Sequence, residues 1–205
     1  MRIEELKPSK RVQGRWLAVL EDGSILRVGE GEVVDFALYA GKELTDGEAC
    51  RLTESARRSG LKEKTLELLS RKPMSRKELE RKLAGWEAGE EEIDSICARM
   101  EELGFLNDVA YAAQVVRHYS QKGCGERKLR DELYRRGVPR ELWDEALGQA
   151  ADPAQAIDAL VQKKLAGKTP DRKELKKLSD ALMRRGYGWE DISAALRRYG
   201  AETEE

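Results

Sequence analysis

Along this chain the apolar positions change their period once. Two short runs near the start, Trp16 to Leu20 and Ile25 to Val28, are rich in apolar and β-branched residues, which is the composition of strands. Glu21-Asp22-Gly23-Ser24 separates them. Asp-Gly predicts a hairpin closed by a type I′ turn, whose two central residues both need positive φ. A lone hairpin is marginal in water, so Val33 to Leu38 is predicted to cover it as a short helix, with a third strand as the alternative. Gly41 ends that segment. Thr45 or Asp46 then caps a helix expected to run to about Arg58 and to stop at Gly60.

From Leu61 onward the spacing is that of amphipathic helices, i, i+3, i+4, i+7. Leu66 and Leu69 lie in a first helix that ends near Lys72-Pro73, and Ser75 with Glu78 has the form of a capping box for the next. Leu79 and Leu83 follow, then Ile93, Ile96, Cys97, Met100 and Leu103. Asn107 or Asp108 is predicted to cap a helix carrying Ala112, Val115, Val116 and Tyr119, which the loop from Lys122 to Gly125 breaks. Leu129 and Leu133 sit one turn apart before Arg136-Gly137, and Pro139 opens a helix with Trp143, Ala146 and Leu147. After Pro153 come Ala156, Ile157, Leu160, Val161 and Leu165, a loop from Gly167 to Pro170, Leu175, Leu178 and Leu182, and then Arg185-Gly186. Trp189, Ile192, Ala195 and Leu196 form the last stripe.

This part aligns with itself. Leu79-Leu83, Leu129-Leu133 and Leu178-Leu182 are one i, i+4 pair three times, at periods of 50 and then 49 residues. Ten positions after each second leucine stands Ile93, Trp143 or Ile192, and four further on Cys97, Leu147 or Leu196. The second and third copies share Arg-Arg-Gly as a stop, while the first has Glu87 where the others have glycine. Such a period suits a three-helix unit, and units of this kind stack. The predicted fold is therefore mainly α: three tandem three-helix repeats in an elongated array, at 61–105, 106–150 and 151–200. A small α+β module with a β-hairpin precedes them over 1–60, and a frayed tail follows over 201–205.

Composition narrows the functions. Charged residues make up 38% and aromatics 6%, which favours small helical units with solvated faces. A net charge of −1 leaves no long-range attraction to nucleic acid, so any basic patch is local. No apolar run near the N-terminus resembles a signal peptide and none reaches the ~20 residues of a membrane span. Cys50, Cys97 and Cys124 are odd in number and widely spaced, which argues for a reducing, cytoplasmic setting and against disulfides or zinc. His118 is the single histidine and reads as an exposed helix residue. Cys97 reads as a small core hydrophobe, and Cys124 as a loop thiol with no base nearby. The four tryptophans read mostly as core or strand residues. No enzyme, metal or cofactor is expected.

The basic residues carry more. Lys77, Arg127 and Lys176 hold one repeat position, two before the first leucine and off the leucine stripe. Around them lie Lys128, Arg130, Arg135 and Arg136 in the second repeat, and Lys163, Lys164, Arg172, Lys173, Lys177, Arg184 and Arg185 in the third. Such a face can track a polyanion or can be a solvated helix surface, and the residues alone leave both open. Three-helix units also suggest a helix-turn-helix DNA-binding transcriptional regulator, a fold analogy that is the competing reading.

The segments LGFLNDVAYA and KGCGERKLRDELYRRGV, between Leu103 and Val138, resemble the central repeat of the RecX family of bacterial recombination regulators. The resemblance extends over the repeats, from about Leu61 to Gly200, and the N-terminal hairpin and helix match longer members. It implies a protein without a catalytic centre that binds the RecA recombinase filament in its groove, and single-stranded DNA within that filament. It implies modulation, mostly inhibition, of ATP hydrolysis, strand exchange and the co-protease activity of the SOS response, by a cytoplasmic monomer with no membrane contact. Cys124 departs from the family pattern and raises thiol sensitivity.

Overall fold

The computed structural model describes residues 1–165 and 170–199. The predicted tail over 201–205 and most of the predicted loop from Gly167 to Pro170, with Lys168, lie outside the described residues. Two compact units form, Met1–Lys72 and a second that begins at Pro73.

The first unit opens with an antiparallel sheet of β1 (Ile3–Pro8), β2 (Arg15–Leu20) and β3 (Ile25–Gly29) in that order. β1 is an addition to the expected hairpin; the third strand comes from before it, and not from Val33 to Leu38. Its first half, Val33 to Asp35, lies in the short helix α1 (Glu30–Asp35), and Phe36 to Leu38 leave the helix in a turn. β1 hides from pattern reading because its register slips between Ile3 and Glu5, which breaks the alternation of side chains that marks a strand. The turn also differs from expectation. Gly23 has φ +78° and Asp22 has no positive φ, and the Gly23 N–H donates to the Leu20 carbonyl at 2.9 Å. This is a three-residue loop with glycine at its left-handed end, the next commonest hairpin closure after the two-residue turns.

The long helix α2 (Asp46–Arg71) covers the sheet with Leu52 and Ala56, which share a core with Ile3, Ala18, Leu20, Val28, Leu38 and Leu44. Thr45 caps it, accepting from the Glu48 N–H at 3.3 Å. The helix runs straight through Gly60, where a stop was expected. An interior glycine costs about 1 kcal/mol relative to alanine, less than the burial of Leu52, Ala56, Leu61 and Leu69 on either side of it contributes. Glu32 is pinned in this unit by hydroxyls of Ser55 (3.0 Å) and Ser59 and by the Gly29 N–H at 2.9 Å.

The second unit is wholly helical among its described residues. It contains α3 (Arg76–Ala84), α4 (Glu90–Glu102), α5 (Asp108–Gln121), α6 (Glu126–Arg135), α7 (Trp143–Leu147), α8 (Pro153–Leu165), α9 (Arg172–Arg184) and α10 (Trp189–Arg198), with a short 3-10 turn at Arg140–Leu142. The six repeat leucines are all buried. In the second repeat Leu129 and Leu133 pack with Tyr111, Val115, Val116, Trp143 and Ala146. In the third, Leu178 and Leu182 pack with Ile157, Val161, Ile192, Ala195 and Leu196. Cys97 is buried as a hydrophobe would be, and desolvation pushes its thiol up to about 11. His118 is exposed, edge-on to Tyr119.

Candidate functional site

The Arg-Arg-Gly stops do more than end helices. Each seats on the first turn of the middle helix of the repeat before it. In the third repeat the Arg185 carbonyl accepts from the Gly125 N–H at 2.9 Å, and the Gly186 carbonyl accepts from the Arg127 N–H at 3.1 Å. The N-terminus of α6 has no side-chain cap of its own, so the following repeat supplies the acceptors its orphan N–H groups need. In the second repeat the Arg136 carbonyl accepts from the Ser75 hydroxyl. Asp108 of α5 accepts from the Arg76 N–H at 2.8 Å, while Asn107 caps α5 itself, accepting from the Ala110 N–H at 2.9 Å. Burial raises the Asp108 carboxyl above its ordinary value although that Arg76 N–H lowers it.

This seating explains the glycines. A Cβ on Gly186 would lie 2.5 Å from the Lys128 nitrogen, and one on Gly137 2.6 Å from the Lys77 Cβ. Both have positive φ, +89° and +67°. The first repeat, which has no earlier repeat to seat on, keeps the left-handed turn with φ +63° at Glu87 and carries a side chain there.

The predicted basic residues divide accordingly. Arg136 is turned inward, with its side chain 20% exposed. It donates to the hydroxyls of Tyr111 at 2.7 Å and Tyr119 at 3.3 Å and lies near Glu78 and buried Glu132. Tyr111 in turn donates to Glu78 at 2.7 Å, and its hydroxyl is pushed up to about 12, by burial first and by that carboxylate second. Arg185 is also engaged, its guanidinium donating to the carbonyls of Lys122 at 2.9 Å and Gly123 at 3.2 Å. These two arginines belong to the joints between repeats rather than to an open basic face.

Others are exposed but paired. Lys77 meets Glu80 at 2.8 Å, Arg135 meets Glu132 at 2.6 Å, and the half-buried Arg130 meets Glu126 at 2.8 Å. Arg184 is exposed and donates to the Asp180 carbonyl. Among the described residues Arg127, Lys128, Lys163, Lys164, Arg172, Lys173, Lys176 and Lys177 are exposed and form no ion pair. Six of these eight lie on α8 and α9. The acids of α4 are more engaged, since Arg76 meets Glu101 at 2.9 Å and Asp94 at 3.2 Å, and Arg99 meets Glu102 at 2.8 Å.

Sequence reasoning missed two features of this surface. Trp189 is not a core residue, being 62% exposed. Its repeat position is held by Glu90 and Arg140 elsewhere, and two polar counterparts are the signal that points it outward. The Arg136–tyrosine network was also missed, because Tyr111 and Tyr119 lie on a different helix from Arg136.

Comparison with known proteins gives the family. The models of the first, second and third three-helix domains of RecX match residues 62–100, 107–147 and 151–196. The first begins within α2. The regulatory protein RecX of Vibrio parahaemolyticus is 34% identical over 137 residues, 66% of this chain and 88% of that protein. The one of Streptococcus gordonii is 26% identical over 209 residues, with all of this chain and 80% of that protein aligned. A crystal structure of regulatory protein RecX superposes with a TM-score of 0.69 at 22% identity, covering 96% of this chain and 98% of that one. RecX from Lactobacillus salivarius superposes at 0.64 over 70% of this chain and shares the fold. With its three matched domains in order and a relative of this identity covered nearly end to end, the chain belongs to the RecX family.

Proposed function

We propose that this chain regulates the RecA recombinase by binding the RecA–single-stranded-DNA filament, and that it acts by binding rather than catalysis. The observation that carries the reading is the basic surface of α8 and α9, unpaired among the described residues and presented by a repeat of a RecX-family protein. Lys163, Lys164, Arg172, Lys173, Lys176 and Lys177 stand outside the packed leucine face. A filament offers repeated acidic and phosphate groups, and several weak interactions along one protein reinforce one another through effective concentration. Modulation of ATP hydrolysis, strand exchange and co-protease activity follows from occupying the filament. The working units in this reading are the repeats at 61–105, 106–150 and 151–200, in a monomeric, cytoplasmic protein.

The test is the combined change Lys173→Glu, Lys176→Glu and Lys177→Glu. Surface substitutions alter stability by less than ~0.5 kcal/mol each, so the variant should melt close to the parent. It should co-sediment poorly with RecA filaments and inhibit RecA-dependent ATP hydrolysis less, most visibly at low salt. A variant that melts normally and inhibits as the parent does at every salt concentration would refute the basic surface as the point of attachment. Tight binding of the parent to duplex DNA without RecA would favour the transcriptional-regulator reading.

A further inference from the structure

The middle helices of the second and third repeats present the same outward surface. Arg127-Lys128 of α6 correspond to Lys176-Lys177 of α9, and all four are exposed. One turn on stand Asp131 and Asp180, also exposed. Two turns on stand Tyr134 and Met183, 68% and 46% exposed. Positions i, i+4 and i+7 share one face of a helix, so each helix carries a cation, an acid and a large apolar side chain in one stripe. Within this span the two helices change chemistry at Arg130 against Ser179 and at Glu132 against Ala181, and those side chains are buried or half-buried. Packing requires the repeated leucines but makes no demand on a side chain that faces solvent. The first repeat, with Glu78, Arg81 and Ala84 at the corresponding places, lacks the stripe.

We infer that the two stripes are equivalent docking sites for two adjoining subunits of one assembled protein, with Tyr134 and Met183 as the anchors. Two equal sites fit a partner that offers one surface repeatedly, and a RecA filament is such an assembly. The inference rests on the reading above and deepens it by naming the side chains and the kind of contact. The occupant is protein rather than nucleic acid for two reasons. Asp131 and Asp180 stand in the middle of each stripe, where they repel a phosphate track. Met183 has no π face on which a base could stack, whereas tyrosine and methionine both serve as apolar anchors in protein interfaces. The matching partner surface is an apolar pocket with carboxylates opposite the paired cations and a cation opposite the aspartate. Joined in one chain, two such sites hold an assembled partner much more tightly than either holds a single subunit.

Co-sedimentation with RecA filaments on single-stranded DNA should be measured for the full chain, beside a thermal melt and the anisotropy of a labelled oligonucleotide without RecA. Tyr134→Ala and Met183→Ala should each weaken filament binding about tenfold, and the double variant roughly a hundredfold. All three should melt as the parent does, because both side chains are exposed. Exchanging the anchors, Tyr134→Met with Met183→Tyr, should leave binding as in the parent, since the sites are equivalent. Asp131→Asn with Asp180→Asn should weaken it. The inference is overturned if the double alanine variant binds filaments as the parent does, or if the exchange binds as poorly as that variant. It is also overturned if the aspartate change tightens binding, which would mark a phosphate track, or if the double alanine variant loses affinity equally for filament and bare oligonucleotide. A parent that does not bind filaments at all removes the functional reading and this inference together, whereas a parent whose binding ignores the stripes removes the inference alone.

Discussion

Gly186→Ala isolates the energetics of the joint. The added Cβ would meet the Lys128 nitrogen at 2.5 Å, its Cβ at 2.7 Å and its Cα at 3.1 Å, at a residue whose φ is +89°. Left-handed backbone costs a non-glycine residue ~1–2 kcal/mol, and forcing a methyl into packed structure adds typically 1–3 kcal/mol. Lower entropy of the unfolded chain returns ~0.4–1 kcal/mol, which leaves roughly 1–4 kcal/mol of destabilisation. The control is Gly104→Ala, since Gly104 has φ +74° but nothing within 4 Å of an added Cβ. That variant carries the backbone cost without the clash and should lose about 1 kcal/mol. Denaturant unfolding gives both numbers, and amide exchange at Arg127 reports the joint directly, because its N–H donates to the Gly186 carbonyl. Equal losses in the two variants, with the Arg127 amide still protected in Gly186→Ala, would refute a role for glycine in close approach.

Leu133→Ala and Leu182→Ala, both in buried positions, should each cost ~2–5 kcal/mol by urea unfolding, since a cavity adds to the lost transfer energy. Glu87→Gly should raise stability by several tenths to about 1 kcal/mol, by relieving a left-handed glutamate, and a lowered melting temperature would count against that strain. Arg136→Lys keeps the charge but loses the forked donation to Tyr111 and Tyr119, so it should destabilise the fold by ~1–3 kcal/mol; a variant as stable as the parent would return Arg136 to the candidate surface. Burial raises the Glu32 carboxyl, but the hydroxyls of Ser59 and Ser55 and backbone N–H bonds outweigh it and hold the group below its ordinary 4.5. Its stabilisation is thus complete above the unfolded-state value and is lost as pH falls through the lower folded-state value. Glu32→Gln should therefore flatten the acid limb of stability against pH below about 4.5, and an unchanged limb would show that other carboxylates dominate it.

What could be read from the chain depended on how local its cause was. The leucine pairs were legible because a stripe of period 3.6 arises from little besides an amphipathic helix. The caps at Thr45, Ser75 and Asn107 were legible because a capping residue acts on its own first turn. Gly60 misled because a single glycine is a weak breaker beside two buried turns. β1 was hidden by a bulge, and Trp189 by the expectation that large apolar residues are buried. The joint was out of reach for a different reason. Arg-Arg-Gly announces a helix end from its own residues, yet its partners, Lys77 and Lys128, lie some 60 residues earlier in the chain. The inward turn of Arg136 is not encoded in its immediate neighbours, whereas the exposure of Lys176 follows from its place off the leucine stripe.

The two joints are built alike and yet are keyed differently, which bears on how the chain avoids misassembly. Where α6 presents Gly125, α3 presents Ser75, one period earlier. A Cβ at Gly125 would stand 2.5 Å from the Tyr187 nitrogen and 2.6 Å from the Gly186 carbonyl carbon. If the third repeat tried to seat on the first during folding, Ser75 would put such a Cβ in that place. The correct partner, the Arg136–Gly137 stop, instead takes the Ser75 hydroxyl as a donor. At this seat the two repeats differ by one methylene and one hydroxyl, and a third repeat seated on the first would meet a clash that the native order avoids.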